Sequence, residues 1–173
     1  MGKEVNTDKI QSLSDFALVG HMGINKVSYE VLRDWIKIHW KHVLQYTPLF
    51  STLVNGWFIF HFISVKDKET ITTGTWLIGK GSMVLSRWHP GFDPRTERLR
   101  LRNLWVSLIG FPIQFWHHDI LVDVAKLIGK FLYLDKSMLR CHDKWRALIL
   151  VEVDIDEGLP AEVELIWRGT SYT

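Results

Sequence analysis

The feature that most constrains the fold is the dipeptide Asn55-Gly56, which lies in the middle of an apolar segment from Leu49 to Ser64. Asn-Gly is the strongest short signal for a hairpin turn, because the turn requires positive φ angles that these two residues adopt readily. The most apolar run, Leu53 to Val65, is shorter than the roughly 18 residues that a membrane-spanning helix needs. The segment therefore predicts a buried pair of antiparallel strands.

Four further elements surround this hairpin. Apolar periodicity and turn residues predict a strand in Phe16–Gly23, a helix over Val27–His42, a helix over Asp67–Trp76 and a strand over Ser82–Trp88. This order, strand-helix-strand-strand-helix-strand, suits an α+β fold. We predict an RRM-like unit over residues 15–88, with two helices on one face of an antiparallel sheet and the other face open, after an N-terminal tail at residues 1–14.

A second, smaller α+β unit is predicted over residues 104–173, packed on the first. Its elements follow in the order strand-helix-strand-strand-strand: Leu104–Gly110, His117–Ile128, Lys130–Asp135, Ala147–Ile155 and Val163–Arg168. Turn residues from Glu157 to Pro160 join the last two strands. Between the two halves, residues 89–103 are predicted to form a connector, because Pro90 and Pro94 interrupt regular structure there.

Positive charge is concentrated in and around this connector. Residues 86–106 contain five arginines and two acidic residues, a net charge of +3, whereas Glu152–Thr173 have a net charge of −5. The formal net charge of the whole chain, +2, hides this division into a basic middle and an acidic end. We predict that the five arginines bind nucleic acid, since arginine holds phosphate through two donors at once. They are Arg87, Arg95, Arg98, Arg100 and Arg102.

Three of these arginines alternate with leucines in the run Arg98-Leu99-Arg100-Leu101-Arg102. In an extended chain they share one side, about 6.6 Å apart, which is close to the spacing of phosphates along a single strand. Such a ladder would follow a nucleic-acid backbone. The alternative is a solvated edge strand whose charges deter aggregation.

Aromatic residues offer a second means of nucleic-acid binding. In the strand after the turn, Phe58, Phe60 and Phe62 share one face and are expected in the core, which leaves Trp57 and His61 on the other face. RNA-recognition folds stack bases on aromatic rings of their open sheet face. We therefore include Trp57 and His61 among the predicted nucleic-acid-binding residues. Packing of Trp57 against the second half is the alternative.

Several segments resemble a known family. They are FSTLVNGWFIFHF, TGTW at Thr73–Trp76, LSRWHPGFDP at Leu85–Pro94, LWVSLIGFPIQFW at Leu104–Trp116, LIGKFLYLD at Leu127–Asp135 and RALILVEVDI at Arg146–Ile155. In this order they resemble a plant domain-of-unknown-function family from the gag-like first open reading frame of LINE-type retroelements. The resemblance implies nucleic-acid binding in retroelement particles, and a CCHC zinc knuckle usually follows. The single cysteine excludes a knuckle within these 173 residues, and Gly74-Thr75-Trp76 replaces the family's Gly-Pro-Trp.

No motif in the sequence indicates catalysis. A glycine-rich phosphate loop, a Gly-x-Ser-x-Gly motif and paired catalytic carboxylates are all missing, so an enzyme is not expected. The pair Cys141-His142 has no further ligands at a recognisable spacing, so neither a metal nor a cofactor is predicted. A lone cysteine and a polar start, Met1–Asp15, favour a nuclear or cytoplasmic location in a reducing compartment.

The sequence thus predicts a non-enzymatic domain that binds RNA or single-stranded nucleic acid with little sequence specificity, and no membrane. The alternative is a module for protein interaction or self-association without affinity for nucleic acid, for which the acidic end of the chain is an argument. Strand addition at Val163–Arg168 would provide the contact in that case.

Overall fold

The structure, a computed structural model, describes residues 7–23, 26–79, 81–135, 137–140, 144 and 146–173. The chain divides into two compact units, with the boundary between Arg98 and Leu99. This boundary lies inside the 89–103 segment that the sequence suggests as a connector. The predicted tail residues Met1–Asn6 lie outside the described part of the chain.

The first unit contains three helices and six strands within its described residues. In chain order they are α1 (Thr7–Phe16), β1 (Ala17–His21), α2 (Tyr29–Leu44), β2 (Leu49–Thr52), β3 (Trp57–His61), α3 (Val65–Thr73), β4 (Leu77–Ile78), β5 (Gly81–Ser82) and β6 (Val84–Arg87). Four of the strands form an antiparallel sheet in the order β2-β3-β1-β6, and β4 pairs with β5. This is the strand order of the RRM-like fold, so the predicted α+β class is confirmed.

The longest helix of this unit, α2, shows how local sequence produces the fold. Ser28 caps its start, since the Ser28 hydroxyl accepts a hydrogen bond of 3.4 Å from the Val31 amide. The helix ends where Gln45 adopts a left-handed conformation with φ of 66°. Its buried residues recur every fourth position, at Leu32, Ile36, Trp40 and Leu44. One face of α2 therefore packs against the sheet.

The hairpin turn forms as predicted. Asn55 and Gly56 have φ angles of 59° and 78°, and the Leu53 amide donates a hydrogen bond of 2.7 Å to the Trp57 carbonyl. Phe58 and Phe60 of β3 then join the core under the helices, as alternation predicts. The register of the pair follows from this turn.

Two features of the first unit differ from the prediction. Thr7–Phe16 forms a helix where a tail was expected. Lys68 of α3 holds it: the buried Lys68 ammonium donates to the Ser14 carbonyl at 3.1 Å. The sheet face opposite α2 is also not open at its central strand, since Ala17 and Val19 of β1 are 0% and 1% exposed.

The second unit has a three-stranded antiparallel sheet. Its described elements are β7 (Leu101–Ile109), α4 (His118–Ile128), β8 (Lys130–Leu134), α5 (Ser137–Arg140), β9 (Arg146–Asp154), β10 (Leu165–Trp167) and β11 (Thr170–Tyr172). The strand order β7-β9-β8, with α4 following β7, repeats the arrangement of β1, α2, β2 and β3. Alternate residues of β9, such as Ile149 and Val151, pack with Leu121 and Ala125 of α4. The unit therefore has a core of its own.

Expectations at both ends of the second unit are corrected. The predicted strand Val163–Arg168 is shortened to β10, which pairs with β11, a strand that the sequence did not predict. A turn at Arg168 and Gly169, with φ angles of 51° and 78°, closes this unpredicted hairpin. In addition, Leu101–Asn103, placed in the connector by the sequence, belong to β7.

Candidate nucleic-acid interface

The hairpin turn of the first unit is fixed from two sides. The His21 imidazole accepts a hydrogen bond from the Gly23 amide at Nδ1 (2.7 Å), so its Nε2 carries the proton and donates to the Asn55 carbonyl (2.8 Å). The Asn55 side-chain amide donates in turn to the Pro94 carbonyl at 3.2 Å. The start of the arginine-rich segment is therefore attached to the turn.

Trp57 lies on the sheet face that alternation predicts, but its ring is not exposed. It meets the His21 and Phe92 rings edge-on, each at a centroid distance of 5.1 Å, and only 5% of the residue is accessible. The expectation that Trp57 presents its ring to solvent for base stacking is therefore wrong for this structure: Phe92, from the connector, covers it. His61, on the same face, is half-buried, and its contact with nucleic acid stays a prediction.

Three of the five predicted arginines are engaged by carboxylates. Arg87 donates to both oxygens of Glu69, at 2.9 and 3.1 Å, and its side chain remains 66% exposed. Arg95 pairs with Asp93 at 3.2 Å, and hydrogen bonds from the Arg95 amide and guanidinium hold the pKa of Asp93 below its ordinary value. Exposed pairs of this kind are weak and are screened by salt.

The third pair changes the expected ladder. Arg100 contacts Asp154 at 2.6 Å and lies 3.9 Å from Asp156. Burial raises the pKa of Asp154, but hydrogen bonds from the Asp156 amide and the Arg100 guanidinium outweigh it and leave this pKa below the ordinary value. The prediction of three equivalent guanidinium groups is therefore corrected, because the middle one is held by the protein's own carboxylate.

Arg98 and Arg102 differ from the other three. Both are exposed, and neither forms an ion pair with any carboxylate in the described part of the chain. Arg98 precedes β7, whereas Arg102 lies within it and pairs in register with Val153. These two side chains are the cations of the segment that meet no competing carboxylate among the residues that the structure describes.

Sequence reasoning missed a pair of aromatic residues in the second unit. Trp105 of β7 and Tyr133 of β8 are each 38% exposed, and their ring centroids are 6.2 Å apart. The signal was present in the alternation of β7, where Leu104 and Val106 belong to the core and Trp105 lies between them.

Neither a metal site nor a membrane span is found in the part of the chain that the structure describes. No three histidine, cysteine or acidic side chains are grouped closely enough to hold an ion among these residues. Cys141 and His142 lie outside them. None of the described helices combines the length and the apolar character needed to cross a membrane.

The fold defines an α+β protein whose first unit has RRM-like topology. Residues 11–96, within that unit, match a domain of unknown function, DUF4283. No curated protein matches the chain. Among solved structures, the chain is similar to the RNA-binding domain of Hrp1 in complex with RNA, at 10% identity and a TM-score of 0.35, over 80% of this chain and 81% of that one. That similarity is too distant to indicate function.

Proposed function

We propose that this chain is a non-enzymatic domain that binds RNA or single-stranded nucleic acid with little sequence specificity. The observation that carries the proposal is the pair Arg98 and Arg102, which are exposed and have no carboxylate partner among the described residues. They lie in a segment of net charge +3. A guanidinium without an internal partner binds phosphate without first breaking an ion pair.

The three paired arginines support the same function less strongly. Arg87, Arg95 and Arg100 keep 66%, 78% and 66% of their side chains exposed. A phosphate can therefore reach them, but it must compete with Glu69, Asp93 or Asp154. We infer that their contributions to affinity are smaller than those of Arg98 and Arg102. Contacts to phosphate carry no base identity, which accounts for the low specificity.

The test compares two double variants that lose the same charge. Arg98→Ala with Arg102→Ala removes the unpaired cations, and Lys37→Ala with Lys41→Ala removes two exposed cations of α2. Binding of a fluorescein-labelled 12-nucleotide RNA is followed by anisotropy over a series of salt concentrations. The logarithm of the affinity falls linearly with the logarithm of the salt concentration, with a slope of about −0.7 per phosphate contact for a single strand. Loss of two contacts should therefore make the slope of the arginine variant less steep by about 1.4.

The lysine variant should leave the slope near that of the wild type. Equal losses in the two variants would show that only net charge matters, and would contradict the assignment to Arg98 and Arg102. Failure of the wild type to bind the RNA at low salt would reject the function itself.

A narrower proposal concerns the origin of the chain. The segments Leu85–Pro94 and Leu104–Trp116 resemble the gag-like family of plant LINE-type retroelements, and the match of residues 11–96 to a domain of unknown function is compatible with it. In that setting the bound nucleic acid would be the RNA of the element.

Self-association is the second candidate function, and the hairpin of β10 and β11 favours it. Ile166 and Trp167 of β10 are 73% and 46% exposed, which is unusual for large apolar residues on a strand. Strand addition by a second copy would cover them. Sedimentation velocity tests this candidate function. It is favoured if the wild type forms a dimer equally with and without RNA, and if Ile166→Lys dissociates that dimer.

A further inference from the structure

The sheet of the second unit has a row of side chains on the face opposite α4. The register places Trp105 of β7 beside Leu150 of β9, and Leu150 beside Tyr133 of β8. The two rings meet edge-on, at 87° and a centroid distance of 6.2 Å, while Leu150 is fully buried. We call Trp105, Leu150 and Tyr133 the aromatic face. Each of the two aromatic residues keeps 38% of its surface accessible to solvent.

Two ion pairs border the aromatic face, and in each of them the cation is more exposed than its carboxylate partner. Lys130 pairs with Glu152 at 3.4 Å, and the lysine side chain is 66% exposed while that of the glutamate is 17% exposed. Arg100 and Asp154 repeat the arrangement at 2.6 Å, with exposures of 66% and 13%. At Lys130 a ligand therefore meets the ammonium before the carboxylate, whereas at Arg100 the 78% exposed Asp156 lies 3.9 Å from the guanidinium. The exposed ammonium of Lys130 is complementary to a phosphate.

We propose that the aromatic face stacks the bases of a single-stranded nucleic acid. The inference rests on the proposed function and adds to it the place where bases, rather than phosphates, are bound. Stacking suits a binder without sequence preference, because every base has a π-face. Lys130 and Arg100 then contact the phosphates on either side of the stacked bases.

The duplicated topology of the two units explains why this role falls to the second one. In the first unit, β1 and β3 hold the places of β7 and β9, and the corresponding face carries the buried Val19 and Trp57. The only ring of that face of β1 and β3 that is not buried is the half-buried imidazole of His61, since Phe92 covers the Trp57 ring. In the second unit the equivalent strand β7 presents Trp105 at 38% exposure.

The experiment separates stacking from phosphate binding. The full chain is titrated with two fluorescein-labelled 12-mers, oligo(U) RNA and an abasic oligodeoxynucleotide that has phosphates but no bases. Trp105→Leu keeps an apolar cover over Leu150 and removes the π-face, and Tyr133→Leu does the same at the second ring. Ile109→Ala, which trims a 73% exposed apolar residue of the same strand, is the matched control.

Trp105→Leu should weaken binding of oligo(U) by about 5- to 30-fold, within the range for stacking of one base on an aromatic ring. Its binding of the abasic strand and its salt slope should stay at the wild-type values, and Trp105→Phe should recover most of the lost affinity. Tyr133→Leu should show a smaller loss of the same kind. Circular dichroism and thermal unfolding identify variants that fail to fold. If one of Trp105→Leu and Tyr133→Leu does not fold, the other variant tests the stacking inference.

The outcomes distinguish the two proposals. If the wild type binds neither 12-mer, the proposed function fails and the stacking inference fails with it. If the wild type binds both, and Trp105→Leu and Tyr133→Leu bind oligo(U) as tightly as it does, only the stacking inference is overturned. If Trp105→Leu instead dissociates a dimer without changing RNA binding, the aromatic face is a contact between two copies, which also overturns it.

Discussion

Asp154 has a double influence on Arg100. The two side chains are 2.6 Å apart, and the carboxylate is only 13% exposed. Hydrogen bonds from Arg100 and from the Asp156 amide stabilise the ionised form, and the pKa of Asp154 lies below its ordinary value in spite of the opposing effect of burial. The pair thus stabilises the second unit, and at the same time Asp154 competes with phosphate for Arg100.

Replacement of Asp154 by asparagine should separate these effects. Because the folded-state pKa of Asp154 is lowered, its contribution to stability is present above the ordinary carboxyl pKa and is lost as the pH falls through the lower, folded-state value. Asp154→Asn should therefore lower the free energy of unfolding at pH 7, and the difference from wild type should shrink on acidification below about pH 4. Urea unfolding over a pH series measures it.

The same variant should bind RNA more tightly, because Arg100 no longer has an anionic partner of its own. Asp123→Asn is the control: Asp123 pairs with Lys126 at 2.9 Å on the exposed side of α4, where an ion pair contributes little. A stability difference for Asp154→Asn that stays constant down to pH 2 would contradict the role given to this carboxylate.

At the scale of elements, the sequence predicted those helices and strands whose geometry depends on their own residues. Asn55-Gly56 predicted the hairpin because positive φ angles are a property of those residues. The hairpin of β10 and β11 was missed because its turn uses Arg168, which has φ of 51° without a residue type that favours it. Alternation correctly assigned Trp57 to one face of β3, but it contains no information on Phe92, which covers the ring from another segment.

Helix α1 was missed for a similar reason. Its apolar residues recur every third position, at Ile10, Leu13 and Phe16, but none of them is buried, and Phe16 was assigned to the strand that follows. Its attachment comes instead from α3, through the hydrogen bond of 3.1 Å from Lys68 to the Ser14 carbonyl, and from contact with β1. Tertiary contacts of this kind are not visible in a local pattern.

Lys68→Met should therefore loosen α1 selectively. The substitution leaves the half-buried Ser14 carbonyl without its charged donor, and loss of a hydrogen bond to a buried acceptor costs about 1 to 3 kcal/mol. Hydrogen exchange should show reduced protection at residues 7–16, while the amides of β1 and β3 keep theirs. Lys66→Met, at an exposed position of the same helix, is expected to change neither. Equal loss of protection in α1 and in the sheet would contradict a local role for Lys68.

At the scale of the whole molecule, each unit has a hydrophobic core drawn from its own residues. Ile36 belongs to the core of the first unit and Ile149 to that of the second, and both are 0% exposed. Cutting the same residue type to alanine in each unit creates a comparable cavity, which costs about 2 to 5 kcal/mol. The two substitutions therefore form a matched pair.

We expect Ile36→Ala to reduce hydrogen-exchange protection in the sheet of β1, β2, β3 and β6, and Ile149→Ala to reduce it in the sheet of β7, β8 and β9. The physical reason is that a cavity weakens the contacts of the side chains that line it, and those side chains belong to one unit in each case. The double variant should show the sum of the two effects. If either single substitution lowers protection in both sheets, the units unfold as one cooperative body. Variants that act on Arg98 and on Trp105 would then have to be compared at equal global stability, because a loss of fold in one unit would reach the binding residues of the other.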